Sequence, residues 1–393
     1  MTPGPIRVGM AGFGSAGRSF VPAIHAHSGF ELVAVAEPMQ SLHHEIAAAT
    51  GATVYASVGQ MLEHPGLDAV YVATPTSLHE EHVVQVVSAG KHVLVEKPMA
   101  INVERAKSMV AAITASGVAC VVGHSHGFDL PVRAMREIIE GGSLGRVRMV
   151  NTWCYTDWMF RPRRADELDV AQGGTVTYRQ GSHQFDLLRV LCGGNAKSVR
   201  ARTFEFGAGN RGIGAHTVFI EFVDGAVATA IYNGYGNFQS TELCFNVTEG
   251  GFHQPPGPSL RAQATAAENA PPPSADEIQR AKQARARAAD RSRAPQQPFF
   301  GITLVSCEHG DIRQSPQGLL IYQDGGVREL TLPAGSGPRE LVLDEWREAI
   351  LTGKRPLHDA RWGLANLEIC DAAIRSSASG QEVPLHHQVA VRK

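Results

Sequence analysis

Ile6-Arg7-Val8-Gly9-Met10-Ala11-Gly12-Phe13-Gly14-Ser15-Ala16-Gly17 is the stretch that decides the fold. The apolar run Ile6 to Ala11 predicts a strand, and the segment opened by the glycines reads as a helix through His25. Gly12, Gly14 and Gly17 stand in the spacing of a dinucleotide turn, with Phe13, Ser15 and Ala16 between them. Each glycine has its own task. Gly12 permits the tight turn, Gly14 lets backbone approach a pyrophosphate, and Gly17 lets the helix pack closely on the strand. The helix N-terminus then offers N–H groups and the positive end of its dipole to phosphates.

A lone fingerprint of this kind is weak, and the context strengthens it. A second apolar run, Glu31 to Ala36, ends in Glu37, about 20 residues past the glycines, where a carboxylate hydrogen-bonds the adenosine ribose. Glu37 would repel a 2′-phosphate, and Pro38-Met39-Gln40-Ser41 brings no Arg or Lys, so the expected cofactor is NAD rather than NADP. Downstream, strand signals at Ala69–Ala73, Lys91–Val95 and Val118–Gly123 alternate with helix signals at Ser77–Ala89 and Val103–Ser116. Alternation predicts an α/β Rossmann domain with a doubly wound parallel sheet.

Beyond about Phe128 the pattern changes. Val147–Tyr155, Ser198–Phe206, Thr217–Phe222, Ala226–Tyr232, Leu243–Thr248, Ile302–Glu308, Gly318–Gln323 and Gly326–Leu332 read as strands, with turns such as Asp224-Gly225 and Asp324-Gly325 between them. The expectation is an α+β domain with a large, mostly antiparallel open sheet, closed by helices at Arg339–Leu351 and Arg361–Ser377. Domain limits are set at 1–127 and 128–393. A Pro/Ala/Arg-rich insertion at 253–298 fits neither domain; its Ser274-Ala275-Asp276-Glu277 has capping-box spacing, and a subunit-contact arm is the functional reading of it.

The 393 residues carry a net charge of -2, which gives no general attraction to nucleic acid. Met1 to Pro5 has neither a basic nor an apolar leader pattern, and no apolar run is long enough to span a membrane. Six scattered cysteines without a C-x-x-C pair read as reduced thiols in a cytoplasmic protein.

Further motifs follow in order: Ala73-Thr74-Pro75-Thr76-Ser77-Leu78-His79, then Glu96-Lys97-Pro98, then Gly173-Gly174-Thr175 leading to His183-Gln184-Phe185-Asp186. Together with the glycine turn they resemble the Gfo/Idh/MocA oxidoreductase family over essentially the whole chain. The resemblance implies that Thr74, Pro75, Thr76, His79 and Glu96 belong to the cofactor site. It also implies that Lys97 faces the reacting carbinol and that His183 serves as acid/base. The chemistry suits these residues, because a ketone–alcohol interconversion needs a group to exchange the hydroxyl proton while hydride moves, and an ammonium can both hold an oxygen and give up a proton. Many family members carry Asp four residues before the histidine, whereas this chain has Arg179. On one helical turn the two side chains would share a face, and a guanidinium cannot orient an imidazole as a carboxylate does.

Arg179 suits an anionic substrate, since a planar guanidinium grips a carboxylate at two points. The stretch Trp153-Cys154-Tyr155-Thr156-Asp157-Trp158-Met159-Phe160-Arg161-Pro162-Arg163-Arg164 adds aromatics interleaved with arginines. Tyr155, Trp158, Arg161, Arg179, Gln180, His124 and His126 are therefore the candidate substrate residues, with Trp153 read as core and Arg163 and Arg164 not assigned to the site. No carboxylate is read at ligand spacing from His124-Ser125-His126, and no metal is expected. With Tyr178–Gln184 and Gly301–Glu308, this stretch resembles the phthalate 4,5-cis-dihydrodiol dehydrogenase branch of the family. The implied substrate is an anionic cyclic diol, and the implied assembly a homodimer or homotetramer. The alternatives are a sugar, sugar-acid or inositol dehydrogenase, or a dinucleotide-binding regulator without turnover.

Overall fold

The computed structural model describes residues 4–123, 126–206, 212–257, 274, 277–278, 280–282, 284, 295–333 and 337–391. They form two units, the first chiefly Met1–His124 with Gly337–Leu367, the second chiefly Ser125–Ala281, Arg291–Ser336 and Glu368–Lys393.

Unit 1 runs β1 (Ile6–Ala11), α1 (Ser15–Ala26), β2 (Phe30–Ala36), α2 (His43–Thr50), β3 (Thr53–Tyr55), α3 (Val58–Leu62), β4 (Ala69–Val72), α4 (His79–Ser88), β5 (His92–Val95), α5 (Val103–Ser116) and β6 (Cys120–Val122). Its six strands are all parallel, in the order β3-β2-β1-β4-β5-β6. Every residue of β4 is buried, as a strand covered on both faces requires. Ala11 lies opposite both Ala36 and Val72, and Val72 opposite Val95. The loops bearing Gly12, Glu37, Thr74 and Lys97 therefore leave from one edge, on either side of the point where the strand order reverses.

Unit 2 contributes α6 (Leu130–Glu140), β7 (Val147–Tyr155), α7 (Thr175–Arg179), α8 (Gly181–Leu191), β8 (Ala196–Phe204), β9 (Ala215–Phe222), β10 (Val227–Asn233), β11 (Ile302–Cys307), β12 (Gly310–Ser315), β13 (Gly318–Gln323) and β14 (Gly326–Thr331). The chain then runs through α9 (Pro338–Thr352), α10 (Ala360–Ser379) and β15 (Val383–Pro384). The nine strands are ordered β14-β13-β12-β11-β7-β10-β9-β8-β15, antiparallel throughout except for the parallel pair β7/β10. Both Asp-Gly hairpins are present. α8 is buried along its whole length.

Four expectations need correction. Leu243–Thr248 is not a strand, because Phe245 and Asn246 take the left-handed conformation (φ 58° and 59°), which ends an extended run. Strand β12 was not foreseen; Asp311, Arg313, Gln314 and Ser315 give it little strand character, and Ile312 is its one large aliphatic residue. Trp153 is 40% exposed, not core: it lies on the face of β7 opposite to buried Thr152 and Cys154. The domain division falls at His124/Ser125, and Gly337–Leu367 returns to unit 1. The return is held by Trp346 of α9, fully buried and stacked on Phe30 at 5.5 Å, and by Val122 N–H donating to His358 C=O at 2.7 Å. In the insertion, Ser274 and Glu277 make the reciprocal capping bonds, but most of the basic run and the suggested arm lie outside the described residues.

A buried polar chain pins α8 to the sheet. Gln184 Nε2 donates to Ile231 C=O at 3.1 Å, its Oε1 accepts from His216 Nε2 at 3.0 Å, and Thr177 Oγ1 lies 3.3 Å from His216 Nδ1. Burial drives the His216 pKa from 6.5 down to about 3. Between those values the unfolded chain holds a proton that the folded chain refuses, so this stability is complete above pH 6.5 and is lost as pH falls toward 3. The loss reaches about 4–5 kcal/mol at the acid end. Urea unfolding of His216→Gln at pH 7 and pH 4 is expected to show an acid loss smaller than wild type by about 3 kcal/mol. Equal acid sensitivity of the two proteins would remove His216 as a cause.

Candidate active site

The candidate residues fall into two sets, one on each unit. In unit 1 the glycine turn has the contacts its spacing predicts. Gly12 is left-handed (φ 89°), and a Cβ there would stand 2.9 Å from Ala73 C=O. A Cβ on Gly17 would stand 2.4 Å from Gly12 C=O, so only glycine allows α1 this close to β1. A Cβ on Gly14 would meet nothing within 4 Å, which is the open backbone a pyrophosphate needs. Gly14 caps α1 without a side-chain bond, and the first turn of α1 has no acidic residue to compete with an anion.

Glu37 is 9% exposed and held at three points. Oε2 accepts from Phe13 N–H at 3.3 Å, Oε1 from Met39 N–H at 3.1 Å, and the main-chain carbonyl from His43 Nε2 at 2.7 Å. His43, at the start of α2, thus helps to fix the acidic end of β2. These groups fit a dinucleotide: open N–H groups at a helix start, a glycine cradle, and a carboxylate at the end of the second strand.

His79 is buried and ties two loops together. Its Nε2 bonds Thr74 C=O at 2.9 Å and its Nδ1 faces Pro98 C=O and Met99 C=O at 3.1 and 3.2 Å, while Thr74 Oγ1 bonds His82 Nδ1 at 3.0 Å. Thr76 is buried beside it and Pro75 exposed. Glu96 accepts from Tyr71 O–H at 2.6 Å and from Lys97 N–H at 3.1 Å. Burial raises its pKa, against the pull of Lys97, Tyr71 and Arg339. Lys97 is half-buried, and its bond to Pro98 is cis.

In unit 2, His183 is 5% exposed on the first turn of α8. Its ring lies 4.8 Å from His126 and 5.1 Å from Phe300, and Phe300 stacks on His126 at 4.2 Å. Asp129 Oδ2 lies 2.7 Å from His126 Nδ1, a carboxylate partner that the sequence reading did not assign to this histidine. Asp186 is buried on α8. Arg179 ends α7 while His183 begins α8, so the two do not share one helical turn as expected. Phe300 had no sequence signal; Asp129, three residues after His126, had one.

The arginines are placed by carboxylates. Arg161 Nε lies 3.2 Å from Asp157; burial works against its charge, but Glu249, Tyr232 and Asp157 outweigh it and hold its pKa above the usual range. Arg164 grips Asp166 with two bonds of 2.8 Å, and Arg179 reaches the same carboxylate at 3.9 Å. Arg163 lies 3.8 Å over the Trp158 ring and 3.8 Å from Glu167. None of the four is simply solvated. Trp158 is 1% exposed within a core cluster with Met159, Val176 and Phe300, which corrects its reading as a ligand-lining residue. Tyr155 stacks on Phe238 at 5.0 Å, and Gln180 Oε1 accepts from Tyr232 O–H at 3.5 Å. His124 lies outside the described residues.

The second and third glycines separate folding from binding. Gly14→Val is expected to unfold at nearly the wild-type temperature but to lose most NADH binding. Gly17→Ala is expected to lose about 1–3 kcal/mol of stability, because its methyl meets backbone that cannot yield without moving α1. Thermal unfolding with NADH fluorescence titration reads both, and wild-type affinity in Gly14→Val would take Gly14 out of the phosphate site.

Comparison with known proteins agrees with this geometry. Residues 6–124 match the model of the Gfo/Idh/MocA oxidoreductase family described as an NAD-binding Rossmann fold, and residues 132–253 match a Gfo/Idh/MocA C-terminal domain. The 1-carboxy-3-chloro-3,4-dihydroxycyclohexa-1,5-diene dehydrogenase of Comamonas testosteroni is 32% identical over 375 residues, covering 94% of each chain. Inositol 2-dehydrogenase of Rhizobium meliloti (strain 1021) is 28% identical over 197 residues, 50% of this chain and 58% of that protein. A solved structure from Bordetella bronchiseptica RB50 is 36% identical with a TM-score of 0.89, covering 97% of this chain and 100% of that one. An NAD-binding turn on a parallel sheet, an antiparallel second domain and full-length likeness to a named dehydrogenase have one reading: this chain belongs to the Gfo/Idh/MocA family of NAD-dependent oxidoreductases.

Proposed function

We propose that this protein oxidises a carboxylated cyclohexadiene cis-diol to the corresponding catechol, with phthalate 4,5-cis-dihydrodiol as the specific substrate and 4,5-dihydroxyphthalate as product. The carrying observation is that the relative named for a carboxylated dihydroxy-cyclohexadiene matches along 94% of the chain, whereas the inositol dehydrogenase matches along 50%. The arginines of unit 2 give the same direction, because neutral polyols offer a guanidinium no anion. Arg179 and Arg161 are the two candidates to hold the substrate's carboxylates; Arg161 also lies beside Asp157 and in the field of Glu249.

NAD, when bound, supplies the hydride acceptor. Gly14, Ser15 and Ala16 would hold its pyrophosphate by backbone N–H groups, with Phe13, whose N–H is taken by Glu37, completing the turn, and Glu37 would hold its adenosine ribose. Thr74 and Pro75 would line the nicotinamide ribose, with Thr76 and His79 behind them as the lock on that loop. Lys97 holds the carbinol oxygen and takes part in moving its proton, and His183, packed against the carboxylate-bound His126, supplies the second proton-transfer group. Loss of a hydride and a proton from one carbinol leaves a ring ketone, whose tautomerisation to the aromatic catechol makes oxidation strongly favourable. A regulator without turnover would have no use for this pair of proton-transfer groups.

The assembly we propose is a homodimer or homotetramer built on the sheet face that leaves Met149, Trp153 and Phe219 exposed; light scattering that reads a monomer would overturn it. The six cysteines are free, which fits a cytoplasmic location.

Glu37 gives the first test. Wild type is expected to use NAD with a far higher kcat/KM than NADP, and Glu37→Ala to narrow the ratio; equal use by wild type would remove the assignment.

Substrate class is tested with arene cis-diols carrying two, one or no carboxylates, and with inositols and aldoses. Lys97→Met is expected to lower turnover of any substrate by at least about 10²-fold with NADH binding intact. Arg179→Gln is expected to lower kcat/KM by about 10- to 100-fold for carboxylated diols and little for an uncharged diol. Efficient turnover of inositol or aldose by wild type, with no activity on carboxylated diols, would replace the substrate while leaving Lys97 in place.

A further inference from the structure

We propose that Tyr71 and Glu96 are a buried positioning pair for Lys97, which makes a phenol in the middle of the Rossmann sheet part of the machinery that sets the reacting amine. The inference rests on the role given to Lys97 above. Tyr71 is fully buried in β4, and its O–H donates to Glu96 Oε1 at 2.6 Å. The other carboxylate oxygen accepts the main-chain N–H of Lys97 at 3.1 Å. Glu96 is 8% exposed and both its oxygens are engaged, so the carboxylate bridges the strand below to the peptide from which the Lys97 side chain starts.

The phenol is itself held. The Phe20 ring of α1 lies 4.5 Å from Tyr71, and Arg339 of α9 stands over Phe20 while its Nε donates to Ser19 Oγ at 3.1 Å. Packing alone does not call for this arrangement. A phenylalanine would fill the same volume, and a buried acid replaced together with its partner by apolar groups is often neutral or stabilising. Burial raises the pKa of Glu96, and the charge of Lys97, the Tyr71 bond and the charge of Arg339 oppose it. Removing the Tyr71 hydroxyl leaves Oε1 without its donor, frees the carboxylate to turn, and so releases the Lys97 peptide.

The test uses Tyr71→Phe in the full chain, with two readouts. Turnover is expected to fall on the order of 10-fold in kcat, with KM for NAD and the NADH dissociation constant within about two-fold of wild type. Acylation of lysines by an amine reagent, followed by peptide mass spectrometry, is expected to change in rate at Lys97 by about three-fold or more, with exposed Lys107 unchanged as internal control. Glu96→Gln, which keeps size and one acceptor oxygen, carries the same two readouts if Tyr71→Phe does not fold. A kcat within two-fold of wild type with unaltered Lys97 labelling overturns the pair. Should Lys97→Met keep its activity, the catalytic reading of Lys97 falls by itself, and the labelling rate alone then upholds or overturns the pair.

Discussion

The approach of α1 to β1 is the constraint on which unit 1 depends. With Gly12 C=O only 2.4 Å from where a Gly17 Cβ would be, the first turn of α1 is seated against the end of β1 and its N–H groups have one direction left to point. Register does the rest. Because Ala11, Ala36, Val72 and Val95 lie side by side, the ends of four strands deliver the glycine turn, Glu37, Thr74 and Glu96-Lys97 to one edge. Side-chain bonds then stitch these loops to one another: Glu37 to Phe13, His79 from Thr74 to Pro98, and Glu96 to the strand beneath. Residues that resemble ligand contacts in a linear motif are in several cases fasteners between loops.

That distinction explains what the sequence made legible. A parallel sheet buried on both faces writes itself as apolar runs, and a tight turn writes itself as glycine, so five of the six parallel strands and the close approaches at Gly12 and Gly17 could be read in advance, whereas the short β3 could not. Strand β12 could not, since its pairing with β11 and β13 supplies the hydrogen bonds that its polar residues do not advertise. The return of α9 to unit 1 was equally hidden. Nothing local about Trp346 says that its partner is Phe30, more than 300 residues away. Among the candidate residues of each unit the same rule holds: Lys97, Glu37 and His183 stand in motifs, whereas Tyr71 takes its place by the pairing of β4 with β5, and Phe300, just before β11, stands in no motif.

In unit 2 the sequence showed arginines but not their partners. Asp157 on one side and Asp166 and Glu167 on the other bracket Arg161, Arg163 and Arg164, with paired residues two to four positions apart, short enough for each pair to close locally. A stretch that reads as cationic is thereby largely neutralised before any ligand arrives, and what differs among its guanidiniums is how firmly each is held. The departure at Arg179 also looks different in three dimensions. The carboxylate missing from that position has a counterpart on His126, whose ring packs against His183, so an imidazole oriented by a carboxylate is still present in the cluster, supplied by Asp129 from the start of α6.

Ion pairs of this kind do not by themselves hold a loop, since partly exposed pairs contribute about 0–1 kcal/mol each. Backbone packing does. A Cβ on Gly174 would stand 2.5 Å from Asp166 C=O and 2.7 Å from Asp169 C=O, so the arginine-bearing loop lies directly on the entry to α7. The next residue, Thr175, is fully buried and left-handed (φ 75°), a conformation that costs a β-branched residue about 1–3 kcal/mol. Such strain persists only where surrounding structure over-determines it, and here it is enclosed by the loop on one side and, through the Val176 N–H bond to Ile213 C=O, by the entry to β9 on the other. The loop that follows Arg164 and the entry to α7, the helix that ends in Arg179, are therefore packed backbone against backbone, and the contacts of Arg164 and Arg179 with Asp166 add to that packing.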